Sequence, residues 1–262
     1  MKECILTNAN LAICLCLLAL LPSCRINVGD AFEAKYQRTE GVAVLAADVA
    51  ELDVETNVGS ITITGDDVTD CNVTAEITVK AGTKEDARKL AEEVKIEVET
   101  SGNTLTVKAK KPAALKRRSL AVDFKITAPK RLKLNCSTHV GTVKVSDIQG
   151  PIKATVNVGS IICNQVVADI ELESNVGSVE VRYAHAAPAA CNAEITTNVG
   201  SIEFAGPPEL SAQVNARTNV GSIKTAHPIT VVGKIGKSIE GKIGSGEGKV
   251  RLTTNVGSID IE

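Results

Sequence analysis

Apolar and polar residues repeat along this chain in a fixed pattern around the motif Asn-Val-Gly-Ser-Ile. With seven copies aligned on their glycine as position zero, positions −7 and −5 are apolar in every copy, and position −6 between them is polar. Position +2 is always Ile or Val. This alternation predicts one strand before the glycine and another after it, each with one face turned inward. The glycines are Gly59, Gly141, Gly159, Gly177, Gly200, Gly221 and Gly257.

The motif itself is predicted to be a corner between these two strands. Inward residues occupy odd-numbered positions before the glycine and even-numbered positions after it. The alternation of inward and outward residues therefore shifts by one residue at the motif. A turn with glycine at its third position has this effect, because glycine tolerates positive φ. Stacked corners would place the asparagines at −2 in a ladder with a spacing of about 4.8 Å, and His139 would share the column. These asparagines are Asn57, Asn157, Asn175, Asn198, Asn219 and Asn255. Ligand contact by the motif is the less favoured alternative.

The spacing of the copies indicates how they are arranged. From Gly141 onward the glycines lie 18, 18, 23, 21 and 36 residues apart. Periods near 20 are typical of solenoids. The longest gap is predicted to contain a degenerate copy at Glu240-Gly241-Lys242-Ile243. We therefore expect an all-β, β-solenoid-like stack of 18–23-residue repeats, with one short helix in an N-terminal insertion.

Between the first two copies the pattern changes. Residues 71–79 alternate as a half-buried strand does. Residues 84–94 carry an apolar stripe with helical spacing, and Thr83 can cap the helix. A hairpin turning at Ser101-Gly102-Asn103 follows, and then a strand over 122–127 that Pro129 closes.

The N-terminus resembles a bacterial export signal. An apolar run from Leu11 to Leu21 follows Lys2 and ends in Leu21-Pro22-Ser23-Cys24, which resembles a lipobox. In that interpretation Cys24 becomes the lipidated first residue of the mature protein. The alternative is a plain secretory signal that is cleaved nearby.

These patterns divide the chain into three parts. Residues 1–23 are predicted to be the signal, and residues 24–44 a tether and lead-in. Residues 45–262 form the repeat domain, with the helix and hairpin insertion over about 80–128 and the tandem repeats over about 132–262.

Composition narrows the function classes. The net charge of −2 gives no indication of nucleic-acid binding, and an aromatic content of 2% requires an aliphatic core. Besides Cys24, four cysteines remain after the signal, without the close spacing of a metal or redox site. Their places in the pattern predict buried thiols, and disulfides stay open. They are Cys71, Cys136, Cys163 and Cys191.

No stretch carries a recognisable catalytic or cofactor-binding constellation, so no catalytic residue, metal or cofactor is predicted. Residues 236–242 have the spacing of a phosphate-binding loop, but Ile243 stands in place of its Ser or Thr and a strand-like sequence follows. The histidines at 139, 185 and 227 lack metal-ligand spacing. The basic loop at 110–118 is predicted to be a solvated loop, with contact to anionic lipid as the alternative.

The order of elements resembles the bacterial putative-adhesin family of β-strand-repeat proteins, a domain of unknown function. The resemblance rests on Val54 to Ile61, the capped helix, the hairpin at Gly102-Asn103, the strand ending in Ala128-Pro129 and the tandem Gly-Ser-Ile repeats. It implies a β-solenoid-like fold and export to the envelope, and it brings no reaction or catalytic residues.

Three hypotheses follow. The first is a non-enzymatic, lipid-anchored envelope protein with a scaffold or adhesin-like binding role and an unknown partner. The second is self-assembly through an open solenoid end at Ile261-Glu262, where the chain stops without an evident cap. The third, less favoured, is a polysaccharide-acting enzyme, which needs its outward acids clustered on one face. The candidate acids are Glu171, Glu173, Glu180, Glu194 and Glu203.

Overall fold

The structure, a computed structural model, describes residues 34–111, 119–227, 230–231 and 237–262. They form two large β-sheets, of ten and eleven strands, and one short α-helix. The helix in these ranges is not long and apolar enough to cross a membrane. The predicted signal, Cys24 and residues 112–118 of the basic loop lie outside the described residues.

The elements follow one another in this order. The first half of the chain contains β1 (Ala34–Leu45), β2 (Glu51–Val58), β3 (Ile61–Asp66), β4 (Asp70–Ala81), α1 (Lys84–Glu93), β5 (Lys95–Ser101), β6 (Thr104–Lys110), β7 (Ser119–Pro129), β8 (Lys133–Val140) and β9 (Val143–Ser146). The second half contains β10 (Ile152–Val158), β11 (Ile161–Val166), β12 (Ile170–Val176), β13 (Val179–Tyr183), β14 (Asn192–Val199), β15 (Ile202–Ala205), β16 (Ala212–Val220), β17 (Ile223–Thr225), β18 (Thr230–Val231), β19 (Ser238–Ile243), β20 (Gly248–Val256) and β21 (Ile259–Ile261).

Each repeat forms one rung, which consists of a strand in the eleven-stranded sheet, a corner at the glycine, and a strand in the ten-stranded sheet. Equivalent strands of neighbouring rungs pair in parallel with the repeats in register, as Ile152 with Ile170 and Ile161 with Val179 show. The strand–corner–strand prediction is confirmed.

The core lies between the two sheets and contains the positions that the sequence pattern turned inward. Positions −7 and −5 are buried in all seven rungs, as are +2 and +4 in all except the rung of Gly221. In that rung Ile223 and Thr225 are half-buried, because β17 is the last strand of its sheet. Phe204 and Tyr183 pack edge to face inside the core, with ring centroids 5.8 Å apart.

The segment predicted as an insertion extends the stack. Strand β6 pairs in parallel with β2, and β7 pairs in parallel with β3, so the two act as a further rung. The antiparallel strand β5 continues one sheet beyond β6, while β4 and β1 continue the other beyond β7. Strand β1 thus occupies 34–45, largely within the stretch predicted to be a tether and lead-in.

Helix α1 forms where its capping and apolar stripe predict it. The backbone N–H of Asp86 donates to Thr83 Oγ1 at 3.1 Å, and Ala87, Leu90 and Ala91 are buried. The guanidinium of Arg38 in β1 donates to the carbonyls of Ala91 and Val94 at 2.9 and 2.6 Å. A cation at the carboxyl end of a helix complements its dipole, so Arg38 fastens α1 to β1.

Two predictions about the C-terminal part are wrong, and the first concerns the long gap in the repeat. The stretch Glu240-Gly241-Lys242-Ile243 is not a degenerate corner, since it lies within β19, which runs antiparallel to β16. Between residues 221 and 257 the chain forms antiparallel strands outside the stack of rungs and then returns to it. The length of this excursion explains the long gap in the repeat.

The end of the chain is not an open end of the stack. The rung of Gly257 lies between the rungs of Gly200 and Gly221, since β20 pairs with β14 and β16 and β21 pairs with β15 and β17. The N–H of Glu262 donates to the Phe204 carbonyl at 2.9 Å, and the Ile261 carbonyl accepts from Ala226 at 2.8 Å. Self-assembly through Ile261-Glu262 therefore has no free strand edge on which to occur.

Candidate functional site

The predicted asparagine ladder is present along five of the stacked corners, while the rung that carries His139 lies between Asn57 and the other asparagines. Asn175 donates to Asn157 at 3.1 Å, Asn198 to Asn175 at 3.3 Å and Asn255 to Asn198 at 3.2 Å. Asn219 bonds to Asn255 at the end of the column, and His139 contacts Asn157 at 3.4 Å. The amides of these residues are therefore occupied with one another, which agrees with a structural role for the corners.

The corners also contain a second ladder of hydrogen bonds, which was not predicted from the sequence. Position −3 has inward parity, yet it is Thr or Ser in every copy except one, where it is Val156. These buried hydroxyls donate to the backbone of the neighbouring rung. Thr197 donates to the Gly177 carbonyl at 2.9 Å, and Thr254 to the Gly200 carbonyl at 2.9 Å. A polar residue at an inward position was the signal that could have revealed this contact.

The hydroxyl ladder allows a matched test. Thr197→Val keeps the shape of the side chain and leaves the Gly177 carbonyl without its donor, so it should lower the free energy of unfolding by about 1–3 kcal/mol. Val156→Thr should gain about 0.5–1.5 kcal/mol through a new bond to the preceding corner. Urea unfolding of both variants measures the two effects. Equal destabilisation by both changes would contradict the proposed role of the hydroxyl.

The outer surface of the corners is aliphatic and carries no charge at position −1. The alternation of the preceding strand would turn the valines at −1 inward. The chain has already begun to turn there, and six of these valines are 40–59% exposed. They are Val140, Val158, Val176, Val199, Val220 and Val256. Uncharged valines beside mutually bonded amides offer no groups for acid–base or metal chemistry.

Cys136, Cys163 and Cys191 are buried, as their places in the repeat predicted, and so is Cys71, which lies outside the repeat. All four thiols are free, a point that the sequence left open. Burial raises the pKa of the Cys163 thiol to about 12 and that of Cys71 to about 11. It also raises the pKa of the Cys136 thiol well above its usual range. The thiolate is the reactive form of cysteine, so these residues act as small core side chains rather than as nucleophiles.

The outer face of the eleven-stranded sheet concentrates polar groups. Position −6 and its equivalents form a continuous line across eight neighbouring strands, here called the outer row. At the spacing of paired strands the outer row is about 34 Å long. In spatial order it contains Asp53, Asn135, Lys153, Glu171, Glu194, Arg251, Asn215 and Glu240.

Neighbouring members of the outer row pair with one another. Lys153 Nζ lies 2.7 Å from Glu171 Oε1, and Arg251 lies 3.5 Å from Glu194. The hydrogen bond to Glu171 raises the pKa of Lys153. Because both ion pairs are exposed, they contribute little to stability. Their donors and acceptors remain within reach of a ligand.

An open groove follows the outer row. One part, of about 720 Å³, extends from Lys133 to Arg251, and a second part, of about 350 Å³, extends from Lys249 to Glu240. Lys249 and Arg251 line both parts, so the two adjoin. The groove crosses the strands and presents carboxylates, amides and cations on a rigid sheet. Such a surface can bind an extended ligand that carries both donors and acceptors.

The five outward acids do not form one acidic face. Glu171, Glu173 and Glu194 lie on the eleven-stranded sheet, whereas Glu180 and Glu203 lie on neighbouring strands of the ten-stranded sheet. Glu180 is paired with Arg182 at 3.0 Å. The alternative of a single clustered set of carboxylates is therefore wrong.

The described ranges hold no group of three or more His, Cys, Asp or Glu placed to bind a metal ion. His139 belongs to the asparagine column, while His185 follows β13 and His227 follows β17. Gly236 of the phosphate-loop spacing lies outside the described residues, and residues 238–243 form a strand rather than a helix.

The two sheets, the register of the corners and the repeat pattern can now be compared with known proteins. The model of the Toastrack DUF4097 family matches residues 123–262, more than half of the chain. This protein belongs to the Toastrack DUF4097 family. The resemblance to β-strand-repeat proteins of the adhesin type is thereby confirmed.

Solved structures are also similar to this chain. A "putative cell adhesion protein" from Clostridium sporogenes ATCC 15579 is 13% identical and has a TM-score of 0.53, covering 86% of this chain and 99% of that chain. This likeness supports a shared fold. A "putative adhesin" from Bacteroides fragilis NCTC 9343 is 19% identical, with a TM-score of 0.34, and covers 87% and 98% of the two chains. A comparison with curated proteins finds no match.

Proposed function

We propose that this Toastrack protein is a non-enzymatic, envelope-anchored binding protein with a β-solenoid architecture. Its interior and corners are occupied by packing and by hydrogen bonds between rungs, which leaves binding to the outer faces. The observation that carries the proposal is the open groove along the outer row, which charged and amide side chains line in two adjoining parts. The name of the Clostridium sporogenes structure, a cell adhesion protein, agrees with such a role.

The chemistry of the groove favours a hydroxylated polymer of the cell envelope. Carboxylates, amides and cations are interspersed along about 30 Å of the groove. They suit sugar hydroxyls, because a hydroxyl both donates and accepts hydrogen bonds. A strongly anionic ligand fits less well, because Glu171 and Glu194 lie between Lys153 and Arg251, and Glu240 ends the row. The proposed occupant is an uncharged or weakly charged polysaccharide that lies along the stacking direction.

Binding of isolated envelope polysaccharides to the chain from Arg25 onward tests this proposal. Replacing both Glu194 and Arg251 by alanine should weaken binding about tenfold or more, because two polar partners are removed from the centre of the groove. The control replaces Glu180 and Arg182, an ion pair within β13 on the outer face of the other sheet, and should bind normally. Equal losses in both variants, or no binding to any polysaccharide, would reject the groove as the site. Release of shortened products would show an enzyme instead.

The lipid anchor is a separate part of the proposal. The lipobox-like sequence at Leu21–Cys24 supports it. Metabolic labelling with a fatty acid should mark the protein and should be lost in Cys24→Ala. Labelling that persists in this variant would reject Cys24 as the site of acylation.

A further inference from the structure

The free edge of β1 differs from the other three edges of the two sheets. In the described part of the chain the sheets end at β1, β17, β18 and β5. Strands β17 and β18 have three and two residues, and β5 has seven, of which Lys95, Glu97 and Glu99 are charged. Strand β1 has 12 residues, is uncharged from Gly41 to Leu45, and keeps an unbroken register with β4 from Ala34 to Leu45. Soluble proteins usually protect edges with short strands, charges, proline or bulges, since unpaired backbone groups recruit other strands.

The backbone groups that face this edge can be assigned. The N–H of Ala46 donates to the Thr69 carbonyl at 3.1 Å, and this pair continues the register of Leu45 with Asp70. Hydrogen-bonded pairs alternate along an antiparallel ladder, so the even-numbered residues of β1 bond to β4. The odd-numbered residues, from Lys35 to Leu45, therefore direct their N–H and C=O groups to the free edge. Arg38 donates to the end of α1 and, at 2.7 Å, to Glu40 of its own strand, and these bonds hold the strand in place.

We propose that β1 pairs antiparallel with β1 of a second copy of this chain, about a two-fold axis at Thr39. This axis places Arg38 opposite Glu40 of the second copy, Tyr36 opposite Val42, and Thr39 opposite itself. Opposite charges, aromatic with β-branched residues, and Thr with Thr are favourable cross-strand pairs. An axis one residue earlier or later places Arg38 or Glu40 opposite itself, which like charges disfavour.

The interface joins the two ten-stranded sheets into one continuous sheet. With the axis at Thr39, the odd residues from Lys35 to Ala43 form about ten backbone hydrogen bonds between the copies. Leu45, which is 70% exposed, lies just beyond this paired stretch. The proposal does not depend on the polysaccharide groove, which lies on the other sheet.

Sedimentation of the purified full-length protein in mild detergent tests the pairing. Wild type should show a concentration-dependent dimer. Thr39→Pro removes an N–H that points away from β4, so the fold should persist while the association constant falls about tenfold or more. Thr39→Ala keeps the amide and should dimerise like wild type. A monomer at every concentration, or a dimer that Thr39→Pro leaves unchanged, would overturn the proposal.

Cysteine cross-linking tests the register without relying on the proline variant. Above the wild-type background, Thr39→Cys should form a disulfide-linked dimer under mild oxidation, because residue 39 faces itself across the axis. Gln37→Cys alone should not, but a mixture of Gln37→Cys with Gly41→Cys should. Equal cross-linking of Thr39→Cys and Gln37→Cys would overturn the register. Protection of the odd amides of β1 from hydrogen exchange at every concentration would show that another segment of the chain covers the edge, which also overturns the proposal.

Discussion

Gly159→Ala should be among the most destabilising single substitutions in the chain. An added Cβ would lie 1.7 Å from the carbonyl oxygen of Gly141 in the neighbouring rung, and φ at Gly159 is +139°. The left-handed backbone costs a non-glycine residue about 1–2 kcal/mol, and the overlap adds about 1–3 kcal/mol or more. The free energy of unfolding should therefore fall by about 3 kcal/mol or more, as measured by urea titration.

Two other glycines separate these causes. Gly102 has φ +59° with no atom near its added Cβ, so Gly102→Ala should show only the backbone cost. Gly41 has open space in an ordinary strand, so Gly41→Ala should be close to neutral. If Gly159→Ala lowers the free energy of unfolding no more than Gly102→Ala does, the close approach of neighbouring corners is not what requires glycine at position 159.

Removing residues 247–262 should destabilise the protein on both sides of the missing rung. The segment buries Val250, Leu252, Ile259 and Ile261 between two other rungs. At about 1.5–3 kcal/mol for each side chain, the loss is about 6–12 kcal/mol. The midpoint of thermal unfolding should fall by about 10 °C or more. Hydrogen exchange should accelerate in β14 and in β16, because each loses its pairing with β20.

A peptide of residues 247–262 provides the control for this truncation. Added to the shortened chain, it should restore protection in both strands, whereas a scrambled peptide should not. Normal protection of β16 in the shortened chain without the peptide would show that the rung of Gly221 can pair directly with that of Gly200.

The sequence predicted the interior of the stack because the periodicity alone determines it. Each inward position depends only on its distance from a corner glycine, so Leu52, Ile195 and Ile259 were assigned to the core without knowledge of their neighbours. The asparagine ladder followed from the same argument, since identical corners in register must align. The buried hydroxyls at −3 were visible as an exception to the apolar pattern, but their acceptor, a glycine carbonyl, is not a sequence feature.

The order of the rungs could not be derived from the periodicity. Nothing in the spacing of 36 residues shows that β20 and β21 return between two earlier rungs, because hydrogen bonds between parallel strands do not depend on chain order. The same holds for β6 and β7, whose sequences contain no copy of the motif. The groove was not predicted either. Which side chains lie next to Glu194 and Arg251 depends on the order of the strands in the sheet, and the sequence does not show that order.

The arrangement of corners and loops has a consequence for engineering. All seven corners lie at one end of their strands, and the connections from one rung to the next lie at the opposite end. Apart from the long segments between β3 and β6 and between β17 and β20, these connections range from three residues (167–169) to eight (184–191), and they contribute to the differences in repeat length without any shift of the corners. A foreign peptide inserted within 184–191 should therefore be displayed on that side while the ladders remain intact. The stack is thus a scaffold on which several loops can be exchanged independently.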